Sequence, residues 1–439
     1  MTSTIVALLV MFIAGAVITR AVGLHEFSGL FAGVSFLNGA LFAGLLMFAL
    51  SVARIPWSLT AILVATAAVL AAIVLARRDA FRTFTLSRIE RSPAELVADV
   101  LILLTLGGYA LYATLSPIPE YDFIGVWGLK ARVFSHAHAI DWAFLTAPEN
   151  SDARIDYPIQ IPLVFDFITV LRGSWDDRWL GLFFVALAAA VVFIVRGLLI
   201  AESRSAFWPR AATLAMMPAA LSPWVGIGEG PLIAYGVAAA IVLRRAVRDG
   251  DPAFYRAGAL LLGGCGLTKN EGLALAIAIV CGVAVASRSL QALARLWPAV
   301  PIIATWMVAK RIVGLHSELI SGSVSTRLIQ HLGEWKVFVA AVGENPLGHR
   351  LFWAGALVAL LLTVKTVATN EKLLLTTILL QWLAYFWVYL TTPYPLRWHI
   401  DTSWERVLTQ VLLLLAFLAF AQLLPLIEKT GAEVAPAPV

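Results

Sequence analysis

DYPIQIPLVFDFITVLRG, residues 156–173, decides how the rest of the chain must fold. Its apolar part is only about fourteen residues, against the ~20 needed to cross hydrocarbon, and it contains Pro162 and Asp166. If it crossed a membrane, every arginine-rich loop after it would change sides. Read as a helix in the membrane interface, with Gln160 and Asp166 open to water or to a protein cavity, it leaves those loops on one side.

The surrounding chain requires such a reading. Of 439 residues, 60% are hydrophobic and 13% charged. With a mean hydropathy of +0.86, a soluble domain is excluded. Long apolar runs such as ALLVMFIAGAVI (7–18) and LALAIAIVCGVAVA (273–286) indicate helices, not the alternating strands of a barrel. The expected fold is all-α and polytopic, with about thirteen transmembrane helices near 4–22, 29–52, 58–76, 94–115, 178–199, 209–222, 231–246, 254–267, 271–287, 297–313, 347–367, 372–391 and 404–425. The first helix reads as retained, because no basic segment precedes it. Cys265 and Cys281 lie in apolar runs and read as small hydrophobes, not as a disulfide or metal ligands.

The net charge of +5 reads as topology, not as nucleic-acid binding. Arg77, Arg78, Arg82, Arg88 and Arg91 mark one cytoplasmic loop; Arg196, Arg204 and Arg210 mark a second; Arg244, Arg245 and Arg248 mark a third. Loops 116–177, 223–230, 314–346 and 392–403, the turn at 269–271 and the N-terminus then belong to the opposite, extracytoplasmic side. Within the first of these, FIGVWGLKARVF (123–134) reads as a second interfacial helix, with Phe123, Trp127 and Phe134 in lipid and Lys130 and Arg132 at the headgroups. The chain divides into N-terminal helices and a basic loop (1–92), a core (93–290), C-terminal helices (291–427) and a disordered tail (428–439).

Charges on the external side are costly and ask for a function. Glu120 and Asp122 follow a span ending in SPIP, and Glu229 stands alone in SPWVGIGEGPL (222–232). Lys269, Asn270 and Glu271 are wedged between two short apolar runs. TTPYPLRWHIDTSWERVL (391–408) brings Arg397, His399, Asp401, Glu405 and Arg406 to the mouth of the last helix, with Trp398 and Trp404 as interfacial anchors. A carboxylate base beside lysine and arginine clamps is suited to displacing a phosphate-linked leaving group. SHAHAID (135–141) reads as an ordinary loop, and the acids of WDDRW (175–179) as a helix cap. No glycine-rich phosphate loop and no serine-nucleophile motif is present.

In their order and common side, these motifs resemble the GT-C glycosyltransferases, most closely the protein-mannosyltransferase and aminoarabinose-transferase branch. The matching features are Asp122 within EYD, the DYPIQIPL segment, Ser222-Pro223 followed by Glu229 and Pro231-Leu232, and Leu267-Thr268-Lys269. The resemblance covers roughly residues 94–290. It implies an inverting enzyme of the bacterial cytoplasmic membrane, facing the periplasm or cell exterior. The enzyme would move a sugar from a polyprenyl-phosphate donor to a lipid, glycan or protein acceptor, with membrane lipids as its surroundings and no nucleic acid. Asp122 would be the catalytic base and Lys269 would lie near the donor phosphate.

From placement alone, Glu229 and Glu120 join the catalytic set. Lys130, Arg132, Arg397, His399 and Arg406 are candidate phosphate or headgroup contacts, and Glu271, Asp156 and Tyr157 candidate substrate contacts. No cofactor is implied, and the metal-binding Asp-x-Asp of the oligosaccharyltransferase branch has no counterpart. A transporter of lipid-linked glycans, or an O-antigen ligase-like or polymerase-like enzyme using a diphosphate lipid, would place similar charges outside.

Overall fold

The structure is a computed structural model that describes residues 1–82, 85–86, 92–221, 225–315, 323–345 and 350–433. Arg88, Arg91, Ser222 and Pro223 lie outside the described residues. Among the described residues the regular structure is helical apart from a two-residue parallel pairing of Glu26–Phe27 with Thr85–Leu86.

Helices α1 (Thr2–Ala21), α2 (Gly29–Val52), α3 (Leu59–Ala76) and α4 (Pro93–Thr114) come first. A π-turn, Phe123–Trp127, leads into α5 (Gly128–Ala137), followed by α6 (Trp142–Thr146), α7 (Gln160–Arg172) and α8 (Asp177–Glu202). Next are α9 (Phe207–Leu221), α10 (Glu229–Asp249), α11 (Pro252–Gly266), α12 (Asn270–Ser287), α13 (Leu290–Ala294) and α14 (Ala299–Ile312). Two shorter helices, α15 (Val324–Gly333) and α16 (Trp335–Glu344), precede α17 (Arg350–Leu362), α18 (Val364–Asn370), α19 (Lys372–Thr391) and α20 (Leu396–Glu433). The last helix thus continues past residue 428, where a tail was expected.

Local sequence sets many of these ends. Ser92 accepts from the Glu95 amide and donates to its carboxylate, with Pro93 in the first turn, a capping box that starts α4. Asp176 caps α8 through the Arg178 amide, as WDDRW suggested. Gly173 ends α7 in the left-handed region at φ +83°.

Among the described residues nine helices are long and apolar enough to cross a membrane, or ten if α17 and α18, bent by 83°, form one span. The other expected spans at 209–222, 254–267 and 297–313 are present as α9, α11 and α14, with 15, 15 and 14 residues. At 1.5 Å per residue these cover ~21–23 Å, less than the ~30 Å of a typical hydrocarbon core.

The helix ends sort into two faces. On one, Asp99 of α4 accepts from Arg196 of α8 at 2.9 Å and from Arg210 of α9 at 3.0 Å. Arg244 of α10 binds Glu202 of α8 and Glu371 before α19, both at 2.6 Å, and Gln422 of α20 also donates to Glu371. Here too, Arg256 of α11 donates to the Val22 carbonyl just after α1. On the other face, Arg178 of α8 donates to the Leu115 carbonyl after α4, and Ile140 to Ser51 near the end of α2. Among the described residues the helix ends that carry Arg196, Arg210, Arg244 and Arg256 therefore share one face, and the ends near Ser51, Leu115 and Arg178 share the other.

α10 is the centre of the bundle, buried along nearly its whole length, whereas α3 is peripheral, with only Ile62 and Thr66 buried. α1 and α2 meet backbone to backbone. A Cβ on Gly39 would lie 1.9 Å from the Met11 carbonyl oxygen, and one on Gly15 would lie 1.7 Å from that of Ser35. Small residues allow such contact, and in lipid the contact itself is the attraction. Gly39→Leu is expected to separate the pair and cost about 1–3 kcal/mol or more, read as a lower melting temperature in detergent; unchanged melting would refute the contact.

α7 corrects the sequence reading. It is not interfacial: every residue from Gln160 to Thr169 is buried, with α1, α2 and α5 packed around it. Gln160 donates to the Ala40 carbonyl in the middle of α2 at 2.9 Å. Asp166 is wholly buried and neither carboxyl oxygen has a hydrogen-bond partner, so burial pushes its pKa up and favours the neutral acid. A helix apolar on all sides is stable only when surrounded. FIGVWGLKARVF likewise turns its aromatics inward: Phe123, Trp127 and Phe134 are all within 2% of full burial, against protein and not lipid.

Candidate functional site

Residues from the four distant clusters meet on the face opposite the basic loops. Asp122 sits where the chain leaves α4 and enters the π-turn, a geometry frequent at functional sites. Its Oδ2 lies 3.1 Å from Arg406 Nη1 on the first turns of α20. Arg406 Nε faces Glu229 Oε1 at 3.6 Å, at the N-terminus of α10. Glu229 Oε1 in turn accepts from Lys269 Nζ at 2.9 Å, and Lys269 also reaches Glu271 at 3.4 Å. Three carboxylates and two cations thus form one chain of contacts.

A second layer supports it. Tyr157 turns its ring towards Lys269, 5.9 Å from ring centre to Nζ, and stacks near Trp127. Asp156 accepts from Asn270 at 2.9 Å and pairs with Lys310 at 3.4 Å. Gly228 lets the parts close, since a Cβ there would lie 2.7 Å from the Trp127 ring and 2.9 Å from Lys269 Cδ.

Burial grades across the site. The Lys269 and Glu229 side chains are 4% and 2% exposed, whereas Arg406 and Asp122 are 37% and 23% exposed. Lys269 and Glu229 form a sealed floor, and Asp122 and Arg406 form the open mouth. Burial opposes the charge of Lys269, but Glu229 and Glu271 outweigh it and hold its pKa above the ordinary lysine value. Burial raises that of Tyr157, with Glu271 adding to the shift, so its hydroxyl keeps its proton.

Four buried polar atoms of the site have no hydrogen-bond partner: Glu229 Oε2, Glu271 Oε2, Arg406 Nε and Trp127 Nε1. Unmet polar atoms are expensive and call for an explanation. Two are acceptors and two are N–H donors, a set that hydroxyl groups can satisfy from either side.

No family model matches this chain, and neither a curated protein nor a solved structure does. The resemblance to GT-C enzymes therefore rests on the sequence motifs alone. Among the described residues no group of three or more His, Cys, Asp and Glu is placed to hold a metal ion.

Asp122, Glu229, Lys269, Glu271, Arg406, Asp156 and Tyr157 come together. Glu120 lies exposed at the rim, beside Gly226. Lys130 is not a headgroup contact: it is wholly buried and donates to the Arg154 carbonyl at 2.6 Å. Arg132 is exposed over the Trp175 ring. Arg397 is tied to Asp401 and Glu344 at the surface, outside the ionic chain. His399 packs against Tyr389 and Tyr394 and meets Thr392 at 2.8 Å, flanking the site. His136, in the last turn of α5, and His138, at its C-cap, are both exposed. Lys310 was missed, although Lys310-Arg311 at the end of the expected span 297–313 that faces loop 314–346 is the same violation of charge bias that marked residues 391–408.

Two expectations arise here. Arg397→Ala should leave any activity of the site within about twofold, because an exposed ion pair contributes ~0–1 kcal/mol; a larger loss would return Arg397 to the site. Lys130 titrates near 7 because burial penalises its charge, with Asp156 opposing, whereas the unfolded lysine titrates near 10.5. Between these values the unfolded chain binds the extra proton, so this residue adds stability as pH rises and imposes its full cost below pH 7. The melting temperature of Lys130→Met relative to the parent should therefore be most favourable at pH 6 and fall towards pH 9. A difference independent of pH would refute the burial cost.

Proposed function

We propose that this protein is a membrane glycosyltransferase of GT-C-like architecture, in which the short helices α9, α11 and α14 cross as well. It would use a polyprenyl-phosphate sugar on the extracytoplasmic face. The observation that carries the reading is the group of unmet donors and acceptors set among paired carboxylates and cations, with Asp122 and Arg406 at its open end.

In this reading the acceptor hydroxyl oxygen attacks the anomeric carbon as Asp122 takes its proton. The carbon–oxygen bond to phosphate breaks on the opposite side, which inverts the centre. The lipid phosphate leaves with the electron pair, and Arg406, whose fork suits phosphate oxygens, holds the developing charge. Lys269 fixes Glu229 and adds positive charge from below, while Glu229 and Glu271 accept from sugar or acceptor hydroxyls. Glu120 and Lys130 have no part in the reaction.

The test is transfer of label from a radiolabelled polyprenyl-phosphate sugar to a cell-envelope fraction by the purified protein, with release of polyprenyl phosphate. A panel of such donors that gives no release above a boiled control would overturn the proposal.

A further inference from the structure

α15 and α16 each show two faces. The inner face packs on α19 and α20 at the end of the bundle that carries the ionic site. His331 Nδ1 of α15 lies 3.2 Å from the Leu390 carbonyl oxygen of α19, and the Phe338 ring of α16 is centred 5.5 Å from that of Phe386. Ala341 of α16 joins Leu396 and Ile400 of α20 in a small apolar cluster, and Glu344 pairs with Arg397 on the same turns. The outward face is apolar too. Ile329 and Leu332, three residues apart on α15, and Trp335 and Val339, four apart on α16, are each more than half exposed. Lys336 is exposed beside Trp335.

An apolar face of this kind on two successive helices marks a docking surface. Its position points to lipid. α19 exposes Leu379, Leu383 and Trp387 at four-residue spacing, and on a helix long enough to span a membrane such a row meets hydrocarbon. Trp387 is three residues, ~5 Å, from Leu390, where α15 rests. The outward face of α15 and α16 therefore begins at the height where the lipid-facing row of α19 ends. A tryptophan beside a lysine at that height suits a membrane–water boundary, with the ring at the headgroups and the ammonium reaching water.

We propose that α15 and α16 lie in the membrane surface, with Ile329, Leu332, Trp335 and Val339 at the boundary of headgroups and acyl chains. The inference does not rest on the enzymatic reading, since the seat needs neither a donor nor a reaction. It moves the interfacial role from residues 123–134 and 156–173, which protein encloses, to part of loop 314–346. Because α16 grips the first turns of α20, the seat also anchors the helix that carries Arg406.

The experiment uses the full chain in phosphatidylcholine nanodiscs, with Cys281→Ala leaving only the buried Cys265, and one nitroxide-labelled cysteine at a time. Labels at Leu332→Cys and Val339→Cys should collide more with oxygen, which concentrates in lipid, than with a water-soluble nickel complex. A label at Leu383→Cys on α19 should do the same, and one at Gln330→Cys, an exposed polar position of α15, should show the reverse. All four positions are exposed, so the labels leave the packing intact. A second measurement keeps both cysteines: the emission that Trp335→Phe removes should be quenched more by brominated phosphatidylcholine than by aqueous iodide. Preference for nickel at Leu332 and Val339 would mean that the face stands in water. Screening of both positions from both reagents would mean that protein covers it, a second copy of the chain included. Either result, or Trp335 emission quenched more by iodide, would overturn the proposal, whatever the outcome of the transfer assay.

Discussion

Asp122→Asn should lower sugar transfer about 10²- to 10⁴-fold, the range that a positioned general base contributes. The amide has nearly the same shape and its oxygen can still accept from Arg406 Nη1, now 3.1 Å from the carboxylate, so the fold should survive. What disappears is the basic oxygen that takes the acceptor's proton. Two controls give the result its meaning. Glu120→Gln should stay within about twofold, because that acid is exposed at the rim, and only ordinary solvated-charge effects of ~0.5 kcal/mol apply. Detergent-solubilised Asp122→Asn should elute and melt like the parent. Full activity in Asp122→Asn would remove Asp122 as the base, and a loss in Glu120→Gln instead would move the role two residues upstream.

Much of the architecture was legible because its signals are local. Apolar runs of sufficient length gave α2 and α19 with the bounds expected, and WDD marked the start of α8. Arginine bias divided the loops into two groups, and the helix-end contacts among the described residues fall into the same two groups. What periodicity cannot say is whether an apolar face meets lipid or protein, since lipid tails are as apolar as leucine. That ambiguity explains why Trp127 and Phe134 were assigned to the membrane and why α7 was placed at the interface, when both are enclosed by helices remote in sequence. Lys130 followed the same error, because a lysine flanked by lipid-facing aromatics would snorkel, whereas one flanked by buried aromatics is trapped.

The site was legible in its members more than in its pairing. Costly charges on the disfavoured side identified Asp122, Glu229, Lys269 and Arg406, which sit on four elements separated by tens to hundreds of residues. Arg397 obeyed the same rule and yet belongs elsewhere. Its neutralising partner was visible in the sequence, since Asp401 is four residues on and within helical reach. A charge with a local partner is explained by it, whereas among the described residues Arg406 pairs with Asp122 and Glu229, across the bundle.

The floor of the site makes the second large prediction. Glu229→Gln leaves Lys269 buried with only Glu271 at 3.4 Å, and Lys269→Met leaves Glu229 buried with only Arg406 at 3.6 Å. Removing one partner of a buried pair strands the other charge, at a cost of about 3–5 kcal/mol. Each single variant should therefore melt far below the parent. The double variant Glu229→Gln/Lys269→Met strands neither charge, so it should melt above either single variant, which requires a coupling in the cycle larger than one single loss of about 3–5 kcal/mol. Activity should not recover with it, because Glu229 Oε2 is one of the four unmet atoms offered to a ligand, and the amide in its place presents different hydrogen-bonding groups. A double variant that is both stable and active would make the pair purely structural. Additive losses of stability would mean that the two groups do not sense each other's charge, and the 2.9 Å contact between them would have to be abandoned. Stability regained without activity is the outcome that separates holding the floor together from presenting it to substrate, and only a floor that does both would require a buried ion pair where an apolar one could pack.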